Sequence, residues 1–233
     1  MPRRTSIGAP RPARTQGALS RDRILAVAVE LADEDGIATL SMRRLAQRLG
    51  VDPMSLYNHV RDKEDLLDGL AETIIGEIEA PPVTDDWRST LAATILAARS
   101  TMLRHPWAAG VIESRATPGP ATMRHMEVVL RTLRDGGFSV DLAHHALHVL
   151  GSRVLGFSQD LFDDRAADEP DPDEAARMAR AWATAFPNIA ELAMAVRHDG
   201  GLGGCDDDVE FRFGLDLILD GLEERRTAAR RAS

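Results

Sequence analysis

LSMRRLAQRLGVDPMSLYNHVRDK, residues 40 to 63, is the stretch whose reading decides the fold. It holds two short helical patterns joined by a tight turn. Ser41 supplies an N-cap oxygen for a first helix whose inward residues are Leu45, Ala46 and Leu49, and Gly50 offers the positive φ that ends it. A second helix starts almost at once, with Asp52 at its N-cap and Pro53 at N1, where the missing N–H costs nothing. Val51 and Leu56 have the spacing of a hydrophobic staple, which sets the angle at which the chain enters that helix. Leu56 and Val60 lie one turn apart and face inward, so Pro53, Met54, Ser55 and Asn58, with Tyr57 and His59 on the flanks, point away from the core.

A polar outer face of this kind fits a groove. A helix-turn-helix puts its second helix into the DNA major groove, its first residues near base edges, while the preceding helix and the flanks hold phosphates. Gly50-Val51-Asp52, then Ser55 to Val60 and Asp62-Lys63, resemble the DNA-binding domain of the TetR family of bacterial transcriptional regulators, over about Ser20 to Ile78. The resemblance implies that Arg43 matches a position that can contact a base, which suits a planar guanidinium facing guanine O6 and N7. It implies phosphate contacts for Tyr57, His59 and Lys63. The expected DNA-binding set is therefore Ser41, Arg43, Arg44, Met54, Ser55, Tyr57, Asn58, His59 and Lys63, with Arg43, Met54, Ser55 and Asn58 reading bases. An ordinary surface charge is the other role open to either arginine, and His59 could instead cap or pack within the domain.

Charge is segregated along the chain. The whole protein carries a formal −9, yet residues 1 to 63 hold eleven basic against seven acidic side chains, a net of +4 that leaves −13 for the rest. A basic front attracts phosphate, and an acidic body keeps the remainder off the duplex. With 233 residues and 44% hydrophobic content, the chain can bury one large core or two smaller ones. No apolar run reaches the ~18 residues that span a bilayer. The first residues lack the apolar stretch of a secretion signal, and Cys205 is the only cysteine, so a cytoplasmic protein without membrane contact or internal disulfide is expected.

Outward from the core motif, residues 1–19 read as a disordered basic arm, in which Arg3, Arg4, Arg11 and Arg14 either follow a groove or remain solvated. Residues 20–66 form the three-helix DNA-binding domain. Its support helix is capped by Ser20, carries Ile24, Val27, Ala28, Leu31 and Ala32 on one stripe, and ends at Asp35-Gly36. Residues 67–80 continue a connecting helix, capped by Asp62, with Leu66, Leu67, Leu70, Ala71, Ile74, Ile75 and Ile78 in one stripe until Pro81-Pro82 stops it. In the resembling family such a helix transmits ligand binding to the DNA-reading heads.

Residues 84–228 show helical periods throughout, and 229–233 read as a tail; the fold class is all-α, with the helix-turn-helix domain followed by a larger α-helical ligand-binding and dimerisation domain. Trp87, Leu91, Ile95, Ala98 and Met102 mark one helix. Met123, Met126, Val129, Leu130 and Leu133 mark another, ended by Gly136-Gly137. Ser139 begins the longest body helix, apolar nearly all round to Leu161, and Asp163 to Asp173 read as a loop. Shorter helices are expected around Trp182 and Leu192, then a turn at Gly200 to Gly204. On the last helix, 206–226, Phe211, Leu215, Ile218 and Leu222 form a narrow seam that wants a partner. These stretches resemble the regulatory domain of the tetracycline-repressor branch of the family. The resemblance implies a homodimer joined through the 139–161 and 206–226 helices, and two-fold symmetry then implies a palindromic operator.

His144 and His148 have the i, i+4 spacing that can hold zinc, but a metalloprotease needs a Glu directly after the first His, and His145 stands there. No carboxylate completes a catalytic set, so no enzyme activity is expected. Pocket lining, packing and interface hydrogen bonding are the other roles open to these histidines. In the resembling branch the drug enters as a magnesium chelate held by a histidine and an acidic residue. Asp160 matches the acidic position, but Ile112 stands where the histidine should be. The expectation is accordingly no metal, no cofactor and not tetracycline, but a small-molecule effector in an apolar pocket lined from Met102, Trp107, Ile112, Met126, His148 and Phe157, each of which could also be plain core. The sequence thus reads as a dimeric regulator of double-stranded DNA, a repressor released by its inducer, with activation as the other action. A ligand-binding or enzymatic helical protein with a vestigial helix-turn-helix, and a DNA binder without an effector, are the competing classes.

Overall fold

Each helix of the N-terminal part starts beside the side chain that caps it. The computed structural model describes residues 18–82, 84–156, 177, 180–181, 183–195 and 207–232. Among these residues every regular element is helical, and the chain divides into one unit ending at Leu70 and another beginning at Ala71. The expected basic arm up to residue 17, Phe157, Asp160, Leu161, the expected 163–173 loop, Trp182, the expected 200–204 turn and Cys205 lie outside the described residues.

In the first unit, α1 (Arg21–Asp35) is capped by Ser20, whose Oγ accepts the Arg23 N–H at 3.2 Å. It ends at Gly36, φ +81°. A 3-10 turn (Ile37–Thr39) leads to α2 (Met42–Leu49), α3 (Pro53–Leu56) and α4 (Lys63–Gly76). Their inward faces close completely: Ile24, Ala28, Leu45, Leu49, Leu56, Val60, Leu66 and Leu70 are all buried. Leu25 and Val29 join them, while Val27 is only half-buried. Gly69 lets α4 approach α1, because a Cβ there would stand 2.6 Å from Leu25 Cδ2.

Two boundaries differ from the sequence reading. The second helix of the motif is a single turn, after which residues 57–59 form a turn that still donates the Val60 N–H to the Leu56 carbonyl at 2.9 Å. The connecting helix ends at Gly76, short of Pro81, as the Glu77 and Ile78 N–H groups make tightening bonds to Ile74 and Ile75.

The second unit holds the end of α4, then α5 (Trp87–Arg104), α6 (Ala108–Glu113), α7 (Pro120–Asp135), α8 (Val140–Gly156), α9 (Pro187–Ala195) and α10 (Asp207–Ala232). α8 packs on α5, α6, α7 and α10. The core they enclose is Leu91, Ile95, Val129, Leu133, Phe138, Ala143, Ala146, Leu150, Phe211, Leu215, Leu219 and Leu222. Trp87 meets Phe138 edge-on at 4.7 Å. Two arginines hold the start of α10. Arg99 donates to the Asp207 carbonyl at 2.9 Å and to Asp208 at 3.2 Å, Arg153 donates to the Glu210 carbonyl at 2.7 Å, and both guanidiniums stack on the Phe211 ring.

The seam read from the last helix belongs to this core and is not a surface for a partner. Phe211, Leu215 and Leu222 are buried within their own chain, and Leu219 joins them. The opposite side of α10 carries the open apolar stripe, Val209, Phe213 and Leu217, each more than half exposed. Spacing alone cannot say which of two apolar faces is taken by the chain itself. Other differences are smaller. α10 runs to Ala232, absorbing the tail predicted from 229, and it is longer than the described part of α8. Met123 is exposed, whereas Ala121, on the opposite side of the same turn of α7, is buried.

Phe211→Ala is expected to lower unfolding stability by about 3–5 kcal/mol, the range for emptying a fully buried aromatic site. Urea unfolding followed by far-ultraviolet circular dichroism measures it.

Candidate functional site

The face offered by α3 is built by the turn before it. Gly50 adopts the left-handed conformation, φ +69° and ψ +32°, and the Val51 N–H bonds the Ala46 carbonyl at 3.0 Å, closing α2 in a Schellman-type turn. Asp52 then accepts the Met54 N–H at 2.8 Å, with Pro53 beside it at the first helical position. Ser41 caps α2 by accepting the Arg44 N–H at 3.3 Å, and Asp62 caps α4 by accepting the Asp65 N–H at 2.8 Å. All four caps stand where the sequence puts them.

With its inner residue Leu56 fully buried, α3 presents Met54, 70% exposed, and Tyr57, 45% exposed, together with Asn58. Ser55 and His59 are half-buried at the edges, and Ser41, Arg43 and Lys63 are exposed. Arg43 has no polar side-chain partner among the described residues, which leaves its guanidinium available. Arg44 is different. Its guanidinium bonds Thr39 Oγ1 at 2.8 Å and pairs with Asp35, so it ties α2 to the end of α1 and is already engaged. Arg48 does the same one turn on, to Glu34, and the pairing lowers the Glu34 pKa.

Two residues missed in the sequence hold the far end of the motif. Arg21 donates to both oxygens of Asp65, at 2.9 and 3.0 Å, and to the carbonyl of His59 at 3.1 Å. Asp65 also accepts the Arg61 N–H at 2.9 Å. The pair thus fastens the segment after α3 to α1 and α4. The Arg21 hydrogen bond is the main reason that the Asp65 carboxyl sits below its usual pKa, against the opposing effect of burial. No local pattern announces a pair 44 residues apart.

In the second unit, Met102 is buried, while Trp107, Ile112 and Met126 are half-buried. His148 does not join them: it lies exposed on the outer side of α8, its ring 4.6 Å from that of His144, while Ala146 and Leu150 face the core. Among the described residues no group of three or more His, Cys, Asp or Glu side chains is arranged to hold a metal ion. No helix among them is long and apolar enough to cross a membrane. Burial lowers the His125 pKa, which favours its neutral form. Glu72 of α4 and Glu77 just past its end, also missed, make polar contacts within the second unit. Glu72 accepts the N–H and hydroxyl of Thr122 at 3.2 and 2.9 Å and the Ala121 N–H, closing the first turn of α7. Gly119 permits this, since a Cβ there would lie 2.3 Å from Glu72 Cδ. Glu77 meets His105 Nε2 at 3.1 Å.

Comparison with known proteins follows the same division. Residues 24–70 match the family model for bacterial regulatory proteins of the tetR family, and residues 80–226 match the model for the tetracyclin repressor-like C-terminal domain. An HTH-type transcriptional regulator of Saccharopolyspora erythraea is 40% identical over 58% of this chain and 61% of its own length. The class C tetracycline repressor protein of Escherichia coli is 32% identical over 89% of this chain and 92% of its own. The crystal structure of apo ActR from Streptomyces coelicolor is similar with a TM-score of 0.71 and 30% identity, covering 91% of this chain and 98% of that one. ActR in complex with actinorhodin is similar too, with a TM-score of 0.68, 30% identity and coverage of 90% and 99%.

Asp65 contributes stability while it is ionised. Because its folded pKa lies below its unfolded value near ~4, that contribution is full above ~4 and is lost as pH falls through the folded pKa. Asp65→Asn is expected to cost about 1–2 kcal/mol at neutral pH, a range kept low because Arg21 is 39% exposed, and to flatten the acid limb of a stability–pH curve. Thermal melts between pH 3 and 7 test both parts.

Proposed function

The chain belongs to the TetR family of bacterial transcriptional regulators, and from that membership we propose that it is a homodimeric repressor, held on a palindromic operator and released by a small molecule. The observation that carries this reading is the outer face of α3. Met54, Tyr57 and Asn58 are open there, on a helix turn whose inner residue is fully buried and whose entry is fixed by Gly50 and Asp52.

In this reading Arg43, Met54, Ser55 and Asn58 face base edges, Met54 meeting a thymine methyl, while Ser41, Tyr57, His59 and Lys63 hold phosphates. Arg44 positions α2 through Asp35 and Thr39, and its half-exposed guanidinium stands beside Arg43 as a further phosphate contact. The dimer forms through the exposed sides of α8 and α10. Val209, Phe213 and Leu217 give α10 an apolar stripe at helical spacing, and Val149, Ser152 and Gly156 form a face of small side chains on the exposed side of α8. The effector enters among Met102, Trp107, Ile112 and Met126 in the second unit. The similarity to ActR, seen with actinorhodin, supports a small-molecule effector. A ligand that favours the DNA-free arrangement lowers operator affinity by its preference between the two.

Selection of bound fragments from random duplex DNA, at a stated salt concentration, tests the proposal. A palindromic consensus is expected, and enrichment no greater than bulk charge gives would sink it. On that consensus Arg43→Ala is expected to cost about 1–3 kcal/mol, mainly at one base pair, whereas Tyr57→Phe and Lys63→Ala weaken all operator variants by similar factors. Phe213→Glu is expected to give a folded monomer in sedimentation velocity, with operator binding lost alongside the dimer.

A further inference from the structure

We propose that the corner between α7 and α8 is a second ligand site, for a small organic anion, distinct from the residues assigned to the effector. Residues 64 to 233 carry a net −13, yet the last turns of α10 hold Arg225, Arg226, Arg230 and Arg231. Arg226 and Arg230 turn towards the α7–α8 corner, where Arg134 meets them around a cavity of about 450 Å³. That volume lies within the ~300–1,000 Å³ of small-molecule sites. Leu142 and Ala229 give it an apolar side next to the buried Phe138, and Ser139 stands at its edge.

The three guanidiniums are not balanced. Arg226 pairs with Glu223 through Nε at 2.9 Å and Nη2 at 2.6 Å, and donates to the Gly136 carbonyl at 2.8 Å. Arg134 bonds the Phe138 carbonyl, and Arg230 bonds the Gly136 carbonyl at 3.3 Å. Neither has a carboxylate within ion-pair distance among the described residues, so the corner keeps a net of two positive charges. Closing the carbonyl end of α7 explains one cation there, and it uses few of the five N–H donors that each guanidinium carries. Gly137 follows α7 with φ +84°, and Arg230 Nη2 lies over it. Ser139 Oγ accepts the Leu142 N–H at 3.1 Å and keeps its own proton to donate.

Unspent planar donors of Arg134 and Arg230 beside an apolar side suit a carboxylate or phosphate, which takes paired N–H bonds, attached to a small apolar portion that lies on Leu142 and Ala229. A purely inorganic anion would leave the apolar side uncovered, and a neutral aromatic would leave the donors unused.

Phenyl phosphate is the probe, titrated calorimetrically into the full chain at low ionic strength, with inorganic phosphate and phenol as parallel arms. Phenyl phosphate is expected to bind at least ~10-fold more tightly than either. Arg230→Gln is expected to weaken it at least ~10-fold, while Arg231→Gln, which removes the same charge one residue away from the cavity lining, changes it less than ~2-fold. Arg134→Gln provides a second test of the cavity. Equal losses in Arg230→Gln and Arg231→Gln would reduce the corner to bulk surface charge and overturn the site. Equal binding of phenol and phenyl phosphate overturns the anion assignment, and equal binding of inorganic and phenyl phosphate overturns the organic one.

Discussion

The arrangement of the first unit depends on one backbone constraint, that the chain must turn from α2 into α3 within three residues, 50 to 52. Gly50 takes the left-handed conformation that an L side chain adopts only at a cost, and Asp52 receives the first free N–H of the next helix. Once that turn is set, Leu56 and Val60 fall into the core and Met54, Tyr57 and Asn58 fall outside it. A helix of one turn has little stability of its own, because its few internal bonds do not repay the ordering of the chain. It persists because both ends are fastened, by Gly50 and Asp52 before it and by the Arg21–Asp65 pair behind it. The position of a readable face is therefore a property of its neighbours more than of α3.

This explains which parts of the molecule could be read from the sequence. Ser20, Ser41, Asp52, Asp62 and Ser139 act on N–H groups two or three residues away, and each was legible because its effect is local. Glu72 performs the same chemistry on the start of α7 from 49 residues away, and Arg21 reaches Asp65 across 44. Such pairings have no period and no spacing, so nothing in one sequence marks them out. Arg44 shows the same limit from the other side. A basic residue at the start of α2 invites a DNA role, yet its charge is also used within the domain by Asp35.

The last helix makes the corresponding point for apolar residues. α10 has two apolar faces, and the sequence reading found the one that the chain buries itself. Phe211 is completely buried under two arginines, whereas Phe213, two residues on, is 62% exposed. Two residues rotate a helix by about 200°, enough to exchange inside for outside. Hydrophobic spacing therefore identifies a helix with work on both sides, and only packing decides which side remains for a partner.

How α4 is held bears on how a regulator of this family can switch. Leu66 and Leu70 are buried in the first unit, and Ala71, Ile74 and Ile75 are buried residues of the second. Beside that apolar burial stand polar contacts, made by Glu72 to the first turn of α7 and, just past the helix end, by Glu77 to His105. Breaking an apolar contact leaves a void or exposes hydrocarbon, which costs more the tighter the packing. A carboxylate leaving backbone N–H groups near the surface can exchange them for water at a small net cost, since such bonds contribute only about 1–3 kcal/mol each. Under the proposed function an effector has to supply just the difference between two arrangements of similar free energy. Under the same proposal, the polar fastenings at the body end of α4 are the contacts whose exchange for water costs an effector least, while Ile74 and Ile75 keep the helix seated.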